Sequence, residues 1–152
     1  MISVDDPRAG DVRALLERHL AYSQATTLPE DIHALDIDGL LDPAVTFYSY
    51  RDEGELLGVA ALKRLDHDHA EIKSMHTAEA ARRRGIGRAL LAHLIAVARE
   101  RGYRRLSLET GAQPAYAAAR ELYANAGFTP CGPFAGYPDS PNSAYMTLAL
   151  DG

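Results

Sequence analysis

Along the 152-residue chain the spacing of hydrophobic and polar positions changes several times, and each change marks a predicted element. Asp11 to Tyr22 sets Val12, Leu15, Leu16 and Leu20 on one helical face, with Asp11 as its N-cap. From Val45 the pattern turns to strands: Val45 to Tyr50, a turn at Asp52-Glu53-Gly54, then Leu56 to Leu62, which together predict a hairpin. A second turn at Asp66-His67-Asp68 leads into a strand over Ala70 to Thr77. Ala89 to Ala98 is apolar at helical period and stops at Gly102, after Arg99, Glu100 and Arg101. Arg105 to Thr110 alternates again, and the crossover helix makes it parallel to the strand ending at Thr77. Gln113-Pro114 opens a helix that runs through Ala126 and ends at Gly127. Final strands follow at Phe128 to Cys131 and Ser143 to Leu150, separated by a proline-rich loop over 132–142. Ile2 to Val4 reads as a short edge strand. Thr26 to Asp42 is acidic and broken by Pro29, Gly39 and Pro43, with room for a short helix from Glu30 to Asp36.

This order of elements fits one domain over residues 1–152, long enough to bury a substantial core. No apolar run approaches the length of a membrane helix, and the first ten residues lack a basic-then-apolar signal pattern, so no membrane association is expected. The single cysteine, Cys131, excludes an internal disulfide and a cysteine-based zinc site, which points to a reducing, cytoplasmic setting. His67 and His69 flank Asp68 where a hairpin must turn, with no further ligand cluster, so no metal is expected.

Charge is unevenly spread. Between Arg82 and Arg105 eight arginines face one acid, Glu100, a local +7 that leaves −12 for the rest of a chain whose total is −5. A nucleic-acid binder would be basic overall and would carry aromatics among its cations, whereas this stretch has only Tyr103, so no nucleic-acid partner is expected. Arg99, Arg101, Arg104 and Arg105 suit a solvated helix end. Arg82, Arg83, Arg84 and Arg88 surround Gly85-Ile86-Gly87 where a loop opens a helix. Such a junction leaves backbone N–H groups unpaired at the positive end of the helix dipole, and glycine lets an anion approach them. The combination predicts a phosphate cradle. It is not a Walker loop, since no Gly-Lys-Ser/Thr follows, and it lacks the third glycine of a dinucleotide-binding fingerprint.

The run Arg82-x-x-Gly85-x-Gly87 resembles the Gln/Arg-x-x-Gly-x-Gly/Ala signature of the GCN5-related N-acetyltransferases, the GNAT superfamily. About forty residues on, Glu121-Leu-Tyr-Ala-Asn-Ala-Gly-Phe128 is similar to that family's second hallmark, Leu-Tyr-x-x-x-Gly-Phe. The resemblance implies an α/β (α+β) fold with a mixed, mostly antiparallel sheet of six to seven strands, a splayed parallel pair and about four flanking helices. It implies acetyl-CoA as co-substrate, with pantetheine in the splay. Met75 and Thr77 would then bond it through their backbones, and the amides and side chains of Arg82, Arg83, Arg84, Gly85, Ile86, Gly87 and Arg88 would hold the pyrophosphate.

Acetylating an amine requires a base for the ammonium proton, polarisation of the thioester and an acid for the departing sulfur. Tyr123 falls at the family's Leu-Tyr position, where the phenol serves as general acid. Glu71 lies as far before the glycine loop as the catalytic glutamate of the histone-acetylating branch and is the first candidate for the base. Glu109 is its main rival and His76 a weaker one, while a water relay would need no dedicated base. Many members carry Asn where this chain has Tyr116, so Tyr116 is assigned to the acceptor pocket with Glu109 and Tyr137, and Tyr48 and Tyr50 are further aromatic candidates. The expected activity is N-acetyl transfer from acetyl-CoA to a primary amine. A non-catalytic CoA-binding sensor is the alternative, and a homodimer is an assembly the resemblance allows.

Overall fold

The computed structural model describes residues 1–26, 37–78, 81, 84–137, 139–141 and 143–150. Seven strands form one sheet in the order β1-β2-β3-β4-β5-β7-β6, over Ile2–Val4, Val45–Asp52, Glu55–Arg64, His69–Thr77, Arg105–Gly111, Ser143–Ala149 and, for β6, Thr129–Cys131. All neighbours are antiparallel except β4 and β5. The helices are α1 (Gly10–Thr26), the single turn α2 (Ile37–Leu40), α3 (Ile86–Glu100) and α4 (Ala117–Asn125), the last entered by a 3₁₀ turn at Pro114–Tyr116. None of the described helices is long and apolar enough to cross a membrane.

Alternation along the strands gives the sheet two apolar faces. Ala60, Leu62, Ala70, Ile72, Leu106 and Leu108 turn one way and meet Leu90, Leu91 and Leu94 of α3 and Tyr123 of α4. Phe47, Val59 and Ala61 turn the other way and meet Val12, Leu15 and Leu16 of α1. Residues of odd number in the first half of β4, His69, Glu71 and Lys73, therefore turn away from the α3 face, Glu71 and Lys73 lying opposite Lys63 and Ala61 of β3.

Two expectations need correcting. Asp11 is not the cap that starts α1, because the helix already begins at Gly10; its carboxylate instead binds Arg51 at 2.6 Å, tying α1 to β2. Tyr48 is no pocket residue: it is buried in the α3-side core, edge-on to His93 with ring centroids 4.8 Å apart. Tyr50 packs against the same core. The short helix expected from Glu30 to Asp36 lies outside the described residues, as do Arg82 and Arg83.

Candidate active site

The parallel pair opens halfway along its length. His69 to Ile72 pair with Arg105 to Leu108, and beyond that point no β4–β5 pairing continues, although β4 runs to Thr77 and β5 to Gly111. Each free half is held on its outer side, β4 by Gly58 and Val59 of β3 and β5 by β7 as far as Ser143. Among the described residues no strand pairs with these inner edges, which are lined by backbone donors and acceptors.

A bulge drives this opening. Lys73 pairs with Ala61 and His76 with Val59, so Ser74 and Met75 together face the single residue Ala60, and Ser74 takes φ +54°. An extra residue bends a strand and reverses which side chains follow on each face. Met75, instead of Ser74, consequently turns toward α4, where the Tyr123 hydroxyl donates to its sulfur at 3.8 Å. Ser74 is buried with no partner for its hydroxyl among the described residues. Nothing in the apolar pattern marks this bulge except the adjacent polar pair Lys73-Ser74.

Beside the opening, α3 starts at Ile86 with Gly85 as its N-cap, in the left-handed region at φ +76° and without a side-chain capping bond. Among the described residues no side chain caps this end, and the positive end of a 15-residue helix carries exposed Arg84 and Arg88. Gly87 lies against Thr77 and Met75: a Cβ there would stand 3.7 Å from Thr77 Oγ1 and 3.9 Å from the Met75 methyl. The glycine loop, the free half of β4 and Tyr123 thus converge. An uncapped helix end next to an unzipped strand suits a diphosphate followed by an extended amide chain.

The opposite face of the same strands carries a buried polar cluster. Tyr137, from the loop after β6, donates its hydroxyl to Glu71 Oε2 at 2.8 Å, and Lys73 Nζ donates to that hydroxyl at 2.5 Å while lying 3.5 Å from the carboxylate. Burial pushes Glu71 above the usual carboxylate range, with Lys73 and Tyr137 opposing it, and pushes Lys73 down, with Glu71 opposing it. Glu109 stands opposite Tyr145 of β7 in register and hydrogen-bonds it; burial first, then Glu109, raises the Tyr145 phenol to about 12. Tyr137 and Tyr145 stack at 6.3 Å, and Phe134 packs edge-on against both.

The chain matches the Acetyltransferase (GNAT) family over residues 12–128. It belongs to the GNAT family. Among its relatives, the N-acetyltransferase YsnE of Bacillus subtilis is 44% identical over 149 residues, 98% of this chain and 99% of that protein. An acyl-CoA N-acyltransferase structure from Klebsiella pneumoniae superposes with a TM-score of 0.84 at 28% identity, covering 99% of this chain and 97% of that one. A Bacillus subtilis acetyltransferase solved in complex with CoA shares the fold at a TM-score of 0.73 and 18% identity, over 98% and 97% of the two chains. The seven-stranded mixed sheet with one parallel pair is thus the GNAT fold.

Of the expected site residues in this GNAT chain, Met75, Thr77, Gly85, Ile86, Gly87 and Tyr123 come together on the α3 side. Glu71, Glu109 and Tyr137 come together on the α1 side, joined by Lys73 and Tyr145, which motif reasoning did not single out. The Tyr116 ring packs on Gly111 at the end of β5, two residues beyond Glu109, where a Cβ would fall 2.1 Å from the ring. Arg120 fixes this corner by donating to the carbonyls of Gly111 at 2.6 Å and Gln113 at 2.9 Å. Gly111→Ala is expected to displace the ring and lower stability by about 1–3 kcal/mol, as overpacking does. Denaturant melts would check this, and an unchanged midpoint would mean that the Tyr116 ring swings aside freely.

Proposed function

We propose that the protein transfers an acetyl group from acetyl-CoA directly to a primary amine. The observation that carries this reading is the placement of the Tyr123 phenol at the mouth of the unzipped β4–β5 pair, beside an uncapped α3 N-terminus. Acetyl-CoA, when bound, supplies the acyl group on a thioester that a hydrogen-bond donor activates. The amides of residues 84–88, with Arg84 and Arg88, hold the diphosphate, and the Met75 and Thr77 backbone holds the extended arm in place of a partner strand. Arg82 and Arg83 belong to the same cradle by sequence. The fold likeness to a protein solved with CoA supports this assignment.

On the other face Glu71 takes the proton of the incoming ammonium. A carboxylate whose pKa burial has raised is a better proton acceptor than a solvated one. Glu109 adds negative charge, and Tyr137 and Tyr145 supply aromatic wall, so the acceptor site favours a cation. Burial raises the Tyr123 phenol to about 12, keeping it protonated as the donor toward sulfur. One domain over residues 1–152 suffices for these steps, and the reducing cytoplasm suits its lone thiol.

Transfer is direct, without an acetyl-cysteine stage. Cys131 is half-buried, and burial raises its pKa against a smaller opposing effect of Arg105, so the thiol stays protonated. Cys131→Ala is expected to keep turnover within about twofold of the parent; complete loss would return the cysteine to the reaction. The reading as a whole is tested by following thiol release from acetyl-CoA against a panel of amines. Amine-dependent release supports it, and tight CoA binding with no release under any amine would make the protein a CoA sensor.

A further inference from the structure

We infer that Lys73 is a positioning residue for the proposed base: through the Tyr137 hydroxyl its ammonium fixes the orientation and the charge of Glu71, leaving one carboxylate oxygen for the acceptor. The inference rests on Glu71 being the base and goes beyond that reading by assigning Lys73 and the Tyr137 hydroxyl to its control.

The geometry is that of a relay closed on one side. Lys73 is 7% exposed and Glu71 2%, so neither charge is there for solubility. The ammonium donates to Tyr137 Oη, and Tyr137 Oη donates to Glu71 Oε2, which points the phenol's proton at one oxygen only. The same ammonium lies 5.1 Å from the centre of the Tyr137 ring, which further restricts where that ring can sit. Glu71 Oε1, in contrast, is buried with no hydrogen-bond partner among the described residues. An orphaned carboxylate oxygen held at a known angle is costly to leave unpaired, and an ammonium N–H is the donor that would satisfy it.

The charged and titratable groups on Glu71's face come from each element around it, beginning with His69 two residues earlier on β4, which bonds Ser107 of β5 at 2.7 Å and whose pKa burial lowers. β3 contributes Lys63, β4 Lys73, the loop after β6 Tyr137, while Glu109 of β5 and Tyr145 of β7 lie beyond Lys73. The described buried side chains that α1 turns to this face, Val12, Leu15 and Leu16, are apolar. Among the described residues Lys73 is therefore the leading counter-charge to Glu71, with Lys63 the weaker one, in a buried site that also holds Glu109 and two phenols. Burial alone raises Glu71 toward permanent protonation, and a protonated carboxyl cannot accept the ammonium proton. Lys73 and the Tyr137 hydroxyl limit that rise. The sign follows: without Lys73 the carboxyl holds its proton to higher pH, and activity is lost on the acid side first.

The test is the pH dependence of kcat/KM for Glu71→Gln, Lys73→Met, Lys73→Arg and Tyr137→Phe, with CoA titrated into each by calorimetry. Glu71→Gln is expected to cost about a hundredfold or more, the usual contribution of a positioned base. Lys73→Met is expected to lose about tenfold on the acid side, the least that removing a cation at this distance implies, and to recover toward the parent rate at alkaline pH. Lys73→Arg keeps the parent profile, and CoA heats stay unchanged in all four. Should Lys73→Met fail to fold, Tyr137→Phe carries the test: an acid limb moved to higher pH supports the relay and an unmoved one overturns it. A uniform loss at every pH in Lys73→Met, or none, with Glu71→Gln still impaired, removes Lys73 from the mechanism and leaves the base in place. A Glu71→Gln enzyme working at the parent rate removes the base itself.

Discussion

Gly85→Glu is expected to leave no measurable heat on titration with CoA, the largest single effect anticipated for this chain. Gly85 sits at φ +76° immediately before Ile86, where α3 begins, and its backbone is exposed. Two separate costs fall on a glutamate there. An L side chain in the left-handed region costs about 1 kcal/mol relative to glycine. The larger cost is electrostatic, because the carboxylate would occupy the positive end of α3 and repel an incoming diphosphate that needs the same amides. Gly85→Ala separates them. Space is not the obstacle, since a Cβ at this position meets nothing within 4 Å. Alanine should therefore weaken CoA binding by about tenfold or less, on the scale of its backbone strain, while glutamate abolishes it. Equal losses in both would mean that loop conformation, and not anion recognition, governs the site. Normal CoA binding by Gly85→Glu would remove the phosphate cradle from this turn altogether.

The glycine turn that opens α3 was legible because its signals are local. Apolar period, a left-handed glycine and a following helix all lie within twenty residues, so Gly85 and the boundaries of α3 could be read without tertiary information. The parallel pairing of β4 and β5 was legible for a similar reason, since a crossover helix leaves few alternatives. What stayed hidden depends on distant partners. Asp11 looks like a helix cap by type, yet Arg51, forty residues away, claims its carboxylate. Tyr48 carries no mark of which side of β2 it occupies until Phe47 is known to meet α1. The bulge at Ser74 was invisible because it is defined by a count against β3, two residues facing Ala60, and not by the residues of β4 themselves. Lys73 illustrates the same limit. On a strand pattern it reads as a solvent-facing polar position, whereas the loop after β6 folds back over it and buries it beneath Tyr137.

Tyr123→Phe is expected to lower kcat by about tenfold to a hundredfold while leaving CoA affinity and thermal stability nearly unchanged. The size follows from the acidity of the phenol. Burial sets its pKa at about 12, well above the roughly 8.5 of an ordinary thiol, so complete proton transfer to a departing thiolate is uphill. In the proposed reaction Tyr123 therefore acts chiefly by donating a hydrogen bond to the negative charge that develops on sulfur. A hydrogen bond to a charged group contributes about 1.5–3 kcal/mol, which sets the range of tenfold to a hundredfold. Binding is spared because that charge exists only as the bond to sulfur breaks. Stability is spared because phenylalanine keeps the ring and its edge contact with Phe128, centroids 5.9 Å apart, and forfeits only a long contact to the Met75 sulfur. The pH dependence carries a sign as well. A donor with a pKa of about 12 is fully protonated through neutral and mildly alkaline pH, so the loss in Tyr123→Phe should be the same factor from about pH 6 to about pH 10. An acid limb governed by Glu71 would survive in the variant, since the two groups lie on opposite faces of the sheet. Steady-state rates across that range, with calorimetry for CoA, decide the matter: a collapse of CoA affinity makes Tyr123 a packing residue, and an unchanged kcat takes the phenol out of the reaction.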